Sequence, residues 1–188
     1  MECVFCKIAS KQLASFIIFE DNDIIAVLDL YPANPGHILV FPKNHFSRFE
    51  DIPDNIIGKM FVLAKYISSV LTSTLNADGI NLYLASGKYA GQKTPHIVLH
   101  IIPRYKEDSI HFEWSRKQLN PQVFQQIQNA IVSALNKYNT NRNYTENIHI
   151  NKDPTKTEVF SKDKKTNRNH KDKEKDYSKM LIWFLRKI

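Results

Sequence analysis

The stretch Gly91–Arg104, GQKTPHIVLHIIPR, places two histidines, His96 and His100, four residues apart in an apolar run. Side chains alternate between the faces of a strand. A strand over residues 97–104, entered from His96, therefore puts His96, Val98, His100 and Ile102 on one face and Ile97, Leu99 and Ile101 on the other. One face enters a core, and the other presents imidazoles as the edge of a reactive site does. Strand histidines also occur packed and hydrogen-bonded with no chemical task, so spacing alone leaves both readings open. The centre of the histidine face is Val98.

Working outward, residues 16–21 (FIIFED), 24–30 (IIAVLDL) and 37–43 (HILVFPK) read as three short strands, separated by Asp21-Asn22-Asp23 and by Pro32-Ala33-Asn34-Pro35-Gly36. A helix follows, with Asp54 as its cap. Ile57, Met60, Phe61, Ala64, Ile67, Val70 and Leu71 form its apolar stripe, and Asn76-Ala77-Asp78-Gly79 marks its end. Residues 80–86 form a fourth strand, residues 87–92 a loop, and residues 97–104 the fifth strand. A second helix starts at Asn120-Pro121 and carries Phe124, Ile127, Ile131, Ala134 and Leu135 on one stripe. Short strands in meander order with two helices predict an α+β domain on a five-stranded antiparallel sheet.

The chain has 188 residues, 43% of them hydrophobic, and a net charge of +7. Residues 1–136 balance 12 basic against 12 acidic side chains. Residues 137–188 hold 14 against 7, so the whole excess lies there. The predicted organisation is therefore a folded domain over 1–136 and a polar Lys/Asn-rich extension over 137–188. Such a composition cannot bury enough surface to offset its ordering entropy. Its interspersed charges and few aromatics suit a solvated tail better than a specific nucleic-acid-binding one. The tail ends in an apolar segment, Met180–Leu185, that can dock on the domain, a partner or a membrane surface. No transmembrane segment is expected, and the start lacks the basic and apolar regions of a secretory leader, which points to a cytoplasmic setting. The two cysteines, Cys3 and Cys6, form one C-x-x-C. In a reducing compartment it is either a metal half-site or a pair of reduced thiols.

The motifs concur on one resemblance. Phe19-Glu20-Asp21, Val27-Leu28-Asp29, Pro35-Gly36-His37, Pro42-Lys43, His45, Gly91-Gln92, His96, His100 and Pro103-Arg104 follow in order and spacing the pattern of the histidine triad (HIT) family, in its Hint-like, bacterial-type branch. The resemblance covers residues 1–136 and implies a homodimer sharing one extended sheet. In that family the middle histidine of His-φ-His-φ-His attacks the α-phosphorus of a nucleoside phosphoramidate or dinucleotide, and water releases the nucleoside monophosphate. Val98 stands at the middle position, with Gly91-Gln92 and Pro103-Arg104 holding the register on either side. An isopropyl group can neither attack phosphorus nor carry a proton. The resemblance therefore implies a purine-nucleotide-binding protein with catalysis lost or greatly reduced. The alternative is a non-catalytic dimeric scaffold whose tail recruits a partner.

The resemblance also assigns roles. His100 contacts the phosphate and handles protons, with His37 supporting it. Asp29 accepts the ribose hydroxyls, and Ile18, Phe19, Leu28 and Leu30 wall the base, although plain core packing explains Phe19 and Leu28 equally well. Gln92 and Lys93 lie on the phosphate side. Ala85 replaces the family's usual Asn, and Lys93 its small polar residue. Some Hint-like members hold structural zinc through residues matching Cys3, Cys6, His45 and His96, a tetrahedral Cys₂His₂ set. The alternative is idle thiols at a frayed terminus.

Overall fold

The computed structural model describes residues 3–142. The predicted tail and its Met180–Leu185 end lie outside the described residues. The chain divides into two compact units, residues 1–114 and 115–188.

The first unit is built on one antiparallel sheet of five strands: β1 (Ile17–Glu20), β2 (Ile24–Leu28), β3 (Ile38–Pro42), β4 (Gly79–Leu84) and β5 (Leu99–Arg104). Their order across the sheet is β1-β2-β3-β5-β4. Two helices belong to this unit, α1 (Val4–Ala9) and α2 (Asp54–Leu75). The sheet reproduces the predicted strands with trimmed ends. β5 begins at Leu99, so His96, Ile97 and Val98 precede it without ladder pairing.

Alternation divides the core into two clusters. Ile24, Ala26, Ile38, Val40, Ile97, Leu99 and Ile101 face α2 and meet its Ile56, Met60, Leu63, Ala64, Ile67 and Leu71. Each such burial contributes about 1.5–3 kcal/mol. On the other face Ile25, Val27, Leu39, Phe41 and Val98 form a second cluster, covered by Phe5 and Ile8 of α1. α1 was absent from the sequence expectation.

α2 begins differently from that expectation. Its N-cap is Pro53, which has no side-chain capping bond, and Asp54 is the first helical residue. It ends at Asn76, whose left-handed φ of 54° closes the helix. By length and composition α2 is the one described helix apolar enough to cross a membrane. Six of its side chains are buried in the core against the sheet, while Phe61, Val62, Val70 and Leu75 lie exposed.

The described part of the second unit is α3 (Pro121–Arg142). Asn120 caps it as predicted, its side-chain Oδ1 accepting the Val123 N–H at 2.9 Å. The helix continues past Asn136, where the composition changes. Phe124, Ile127, Ile131 and Leu135 lie exposed along it.

Candidate functional site

The sheet face opposite α2 carries two clusters of polar side chains, with Val98 in the apolar floor between them.

The first cluster joins Cys3, at the N-cap of α1, Cys6 within it, His45 after β3, and His96. The Cys3 Sγ lies 3.4 Å from His96 Nδ1, and the Cys6 Sγ lies 3.3 Å from His45 Nδ1 and 3.7 Å from His96 Nδ1. One donor atom from each of the four falls within 4.8 Å of every other. A zinc ion with Zn–S bonds of ~2.3 Å and Zn–N bonds of ~2.0 Å requires tetrahedral S···N edges of about 3.5 Å. The observed edges fit. The protonation pattern fits as well. His96 is 1% exposed, and its Nε2 donates to the Pro42 carbonyl at 2.9 Å. That bond leaves Nδ1 with a lone pair directed at the two sulfurs. Burial holds His96 below the ordinary imidazole pKa and so favours the neutral, ligating form. Burial and the neighbouring Cys3 push the Cys6 thiol up, which a bound cation would reverse.

The second cluster is a chain of three groups. Asp29 follows β2, His37 precedes β3, and His100 lies on β5. His37 Nε2 and His100 Nδ1 are 3.1 Å apart. The Ala33 N–H donates to His37 Nδ1 at 3.1 Å, and Asp29 Oδ2 lies 3.3 Å from the same nitrogen. Accepting from Ala33 fixes the tautomer of His37. Its proton sits on Nε2 and is donated to His100 Nδ1, so His100 presents an Nε2–H. Burial lowers the pKa of both imidazoles. The adjacent His37 adds to this at His100, and Asp29 opposes it at each. At neutral pH the pair is therefore uncharged. His100 then offers a hydrogen-bond donor, the group that an oxyanion needs, while Asp29 supplies the acceptor. Its Oδ1 already takes the Tyr31 N–H at 2.9 Å.

The other sequence-predicted residues divide. Val98 is 6% exposed within the second core cluster, so the middle of the histidine face is closed floor rather than open site. Ile18, Leu28 and Leu30 are exposed apolar side chains, but Leu28 pairs with Ile38 and so shares the α2 face, while Ile18 and Leu30 remain available to a base. Phe19 is a correction. A register shift between Ile17 and Phe19 pairs it with Ala26 and packs it against the α2-side core, on the opposite face from Asp29 and His37. Gln92 has its amide engaged by its own loop and by the segment after β3. Its Oε1 accepts the Gly87 N–H at 2.6 Å, and its Nε2 donates to the Ser47 and Thr94 carbonyls at 3.0 and 2.9 Å. Lys93 is exposed beside it.

Sequence reasoning missed Tyr83 and the Arg104–Asp108 pair. Tyr83 is the cross-strand partner of His100, and their rings lie 5.8 Å apart. Arg104 donates from Nε to Asp108 Oδ2 at 2.6 Å, and Asn34 Nδ2 donates to the same oxygen at 2.8 Å. These bonds tie the loop leading to His37 to the end of β5. Only the strand register brings these residues together.

A protein-family model described as the HIT domain matches residues 10–107, and the chain belongs to the HIT family. It is 40% identical over 106 residues to an uncharacterized HIT-like protein of Methanocaldococcus jannaschii, covering 56% of this chain and 81% of that one. It is 35% identical over 107 residues to the adenosine 5'-monophosphoramidase of Saccharomyces cerevisiae, covering 57% of this chain and 65% of the relative. Among solved structures, the zinc-bound histidine triad family protein of Mycobacterium smegmatis superposes with a TM-score of 0.56 at 32% identity, over 73% of this chain and 98% of that one.

Proposed function

We propose that this chain binds a purine nucleoside monophosphate, or a phosphoramidate of one, and turns such ligands over very slowly or not at all. The observation that carries the reading is Val98. It occupies the position of the family's nucleophile and lies buried in apolar contacts between two polar clusters that remain intact. Asp29 takes the ribose hydroxyls, and the His100 Nε2–H takes a phosphate oxygen. Ile18 and Leu30 flank the base, with Lys93 at the phosphate side. The relative named a monophosphoramidase supports this ligand class.

Cys3, Cys6, His45 and His96 hold a structural zinc ion in this reading, as their spacing and the zinc-bound relative support. The ion cross-links the N-terminus to the sheet and supplies no reaction chemistry. The protein acts as a cytoplasmic homodimer, with α2 and β4 meeting its second copy.

The test is hydrolysis of adenosine 5'-phosphoramidate alongside calorimetry with AMP and GMP. Binding with turnover orders of magnitude below that of the yeast relative supports the reading. Rapid turnover, abolished by His100→Ala, refutes it. The exposed apolar stripe of α3 favours a second reading, a scaffold that recruits a partner. Failure of a well-folded protein to bind any nucleotide selects it.

A further inference from the structure

We propose that Asn34 is a positioning residue for the ligand site: it anchors the Ala33 N–H against His37 and so sets which nitrogen of His100 carries the proton. Its consequence for ligands rests on the nucleotide-binding reading above, which it extends to what makes His100 a donor.

The turn before β3 carries the anchor. The His37 N–H donates to the Asn34 carbonyl at 3.0 Å, with Pro35 and Gly36 between them and Gly36 at φ +89°. Proline second and a left-handed glycine third is the pattern of a type II turn. The Asn34 side chain ties this turn to the end of β5. Its Nδ2 donates to the Pro103 carbonyl and to Asp108 Oδ2, each at 2.8 Å. Asp108 is a fixed acceptor. Arg104 donates to both of its oxygens, and the Tyr105 and Ile110 N–H groups each donate at 3.1 Å.

The ladder alone brings the two imidazoles together, because their neighbours Ile38 and Ile101 pair across β3 and β5. Ala33 lies outside the ladder, and the anchored residue beside it is Asn34. Two groups compete for His37 Nδ1. The Ala33 N–H, at 3.1 Å, requires a lone pair there, whereas Asp29 Oδ2, at 3.3 Å, favours a proton. With Ala33 in place, His37 carries its proton on Nε2 and donates to His100 Nδ1, which leaves an N–H on His100 Nε2. With Ala33 released, His37 Nδ1 carries the proton and donates to Asp29, and His37 Nε2 becomes an acceptor. His100 then donates from Nδ1 and holds a bare Nε2. Each ring keeps one proton, and only its position changes. An oxyanion meets a donor in the first arrangement and a lone pair in the second.

Long-range proton–nitrogen correlation spectra of the histidine rings, taken on the full chain as purified at pH 7.5, read these tautomers directly. His37→Gln and His100→Asn assign the signals. The parent is expected to show both rings as Nε2–H tautomers. Asn34→Ala is expected to show both as Nδ1–H, and to lose at least about tenfold in AMP affinity by calorimetry, the order of one hydrogen bond to a charged group. Asn34→Ser, whose hydroxyl is too short to span Pro103 and Asp108, is expected to behave alike and serves if the alanine variant does not fold. Tyr105→Phe removes the bond from the Tyr105 hydroxyl to the Pro35 carbonyl at 3.0 Å but keeps the Asn34 amide, so it should retain the parent tautomers. An Nδ1–H parent overturns the proposal, and so do Nε2–H rings in a folded Asn34 variant or reversal in Tyr105→Phe. Reversed tautomers with unchanged AMP affinity overturn the link to the ligand. Failure of the parent to bind AMP refutes the nucleotide reading alone, and the spectra then decide the role of Asn34.

Discussion

Substitution of Val98 by histidine separates the two things this position does. Val98 is 6% exposed among Ile25, Val27, Leu39 and Phe41, beneath Phe5 and Ile8 of α1. Its burial contributes about 1.5–3 kcal/mol. An imidazole placed there recovers part of that apolar contact but brings two nitrogens into a region without partners, at a cost of about 1–3 kcal/mol. Val98→His is therefore expected to lose roughly 2–3 kcal/mol of stability in urea unfolding at pH 7.5. The loss grows at pH 5.5, because a buried imidazole resists charging and the unfolded one does not. In the proposed reading the same variant gains a nucleophile between His96 and His100. Phosphoramidate turnover is expected to rise by at least ~10³-fold, part of the ~10⁶-fold that nucleophile removal costs in other enzymes. The assays are read together. A variant as stable as the parent refutes the closed-floor account of Val98. A variant that folds and binds AMP but gains no turnover refutes the view that the missing imidazole alone silences the site.

Three further expectations concern other parts of the fold. The purified protein should carry about one zinc per chain by elemental analysis, and a strong chelator should lower its melting temperature; His96→Ala should destabilise more than His45→Ala, because His96 is buried and bonded to Pro42 whereas His45 is exposed. His37 and His100 are held below the ordinary imidazole value of 6.5, so the unfolded chain binds more protons and stability should fall as pH drops through about 6.5; the urea midpoint of the parent should decline more steeply than that of His100→Asn between pH 7.5 and 5.5. Gly36 has φ +89°, and a Cβ there would approach Leu75 Cδ1 to 2.6 Å; Gly36→Ala should cost about 1–2 kcal/mol and weaken AMP binding through the displaced His37.

Much of this architecture was legible because its signals are local. Alternation over residues 97–104, the turn residues around Asn22 and Pro35, the Asn120 cap and most of the stripe of α2 each act within a few residues, although Phe61 and Val70 of that stripe are exposed and Ile56 and Leu63 are buried instead. The Cys-x-x-C and the two matching histidines likewise anticipated one cluster of donor atoms. What was missed depends on distant partners. VFCKIA is too short to hold a helix alone, and α1 persists because Phe5 and Ile8 find the Phe41–Val98 cluster. A bulge in β1 reverses the face of Phe19, and one shifted residue defeats any argument from alternation. Tyr83 reads as an ordinary strand aromatic until register sets it opposite His100. Gln92 reads as a ligand contact until Ser47, 45 residues away, claims its amide.

The relay from Ala33 through His37 to His100 also limits the kind of anion the site can favour. Its donor is a neutral imidazole, and the formal charge within the trio is the negative one of Asp29. Without a cation in the trio there is little Coulombic attraction for salt to screen. The relay's own share of the affinity should change little with ionic strength, which leaves Lys93, at the phosphate side in the proposed pose, as the charge for salt to screen. Each additional phosphate brings a second negative charge toward Asp29 without a compensating partner in the relay. A chain of this design therefore discriminates by charge count, accepting singly charged esters more readily than nucleoside triphosphates.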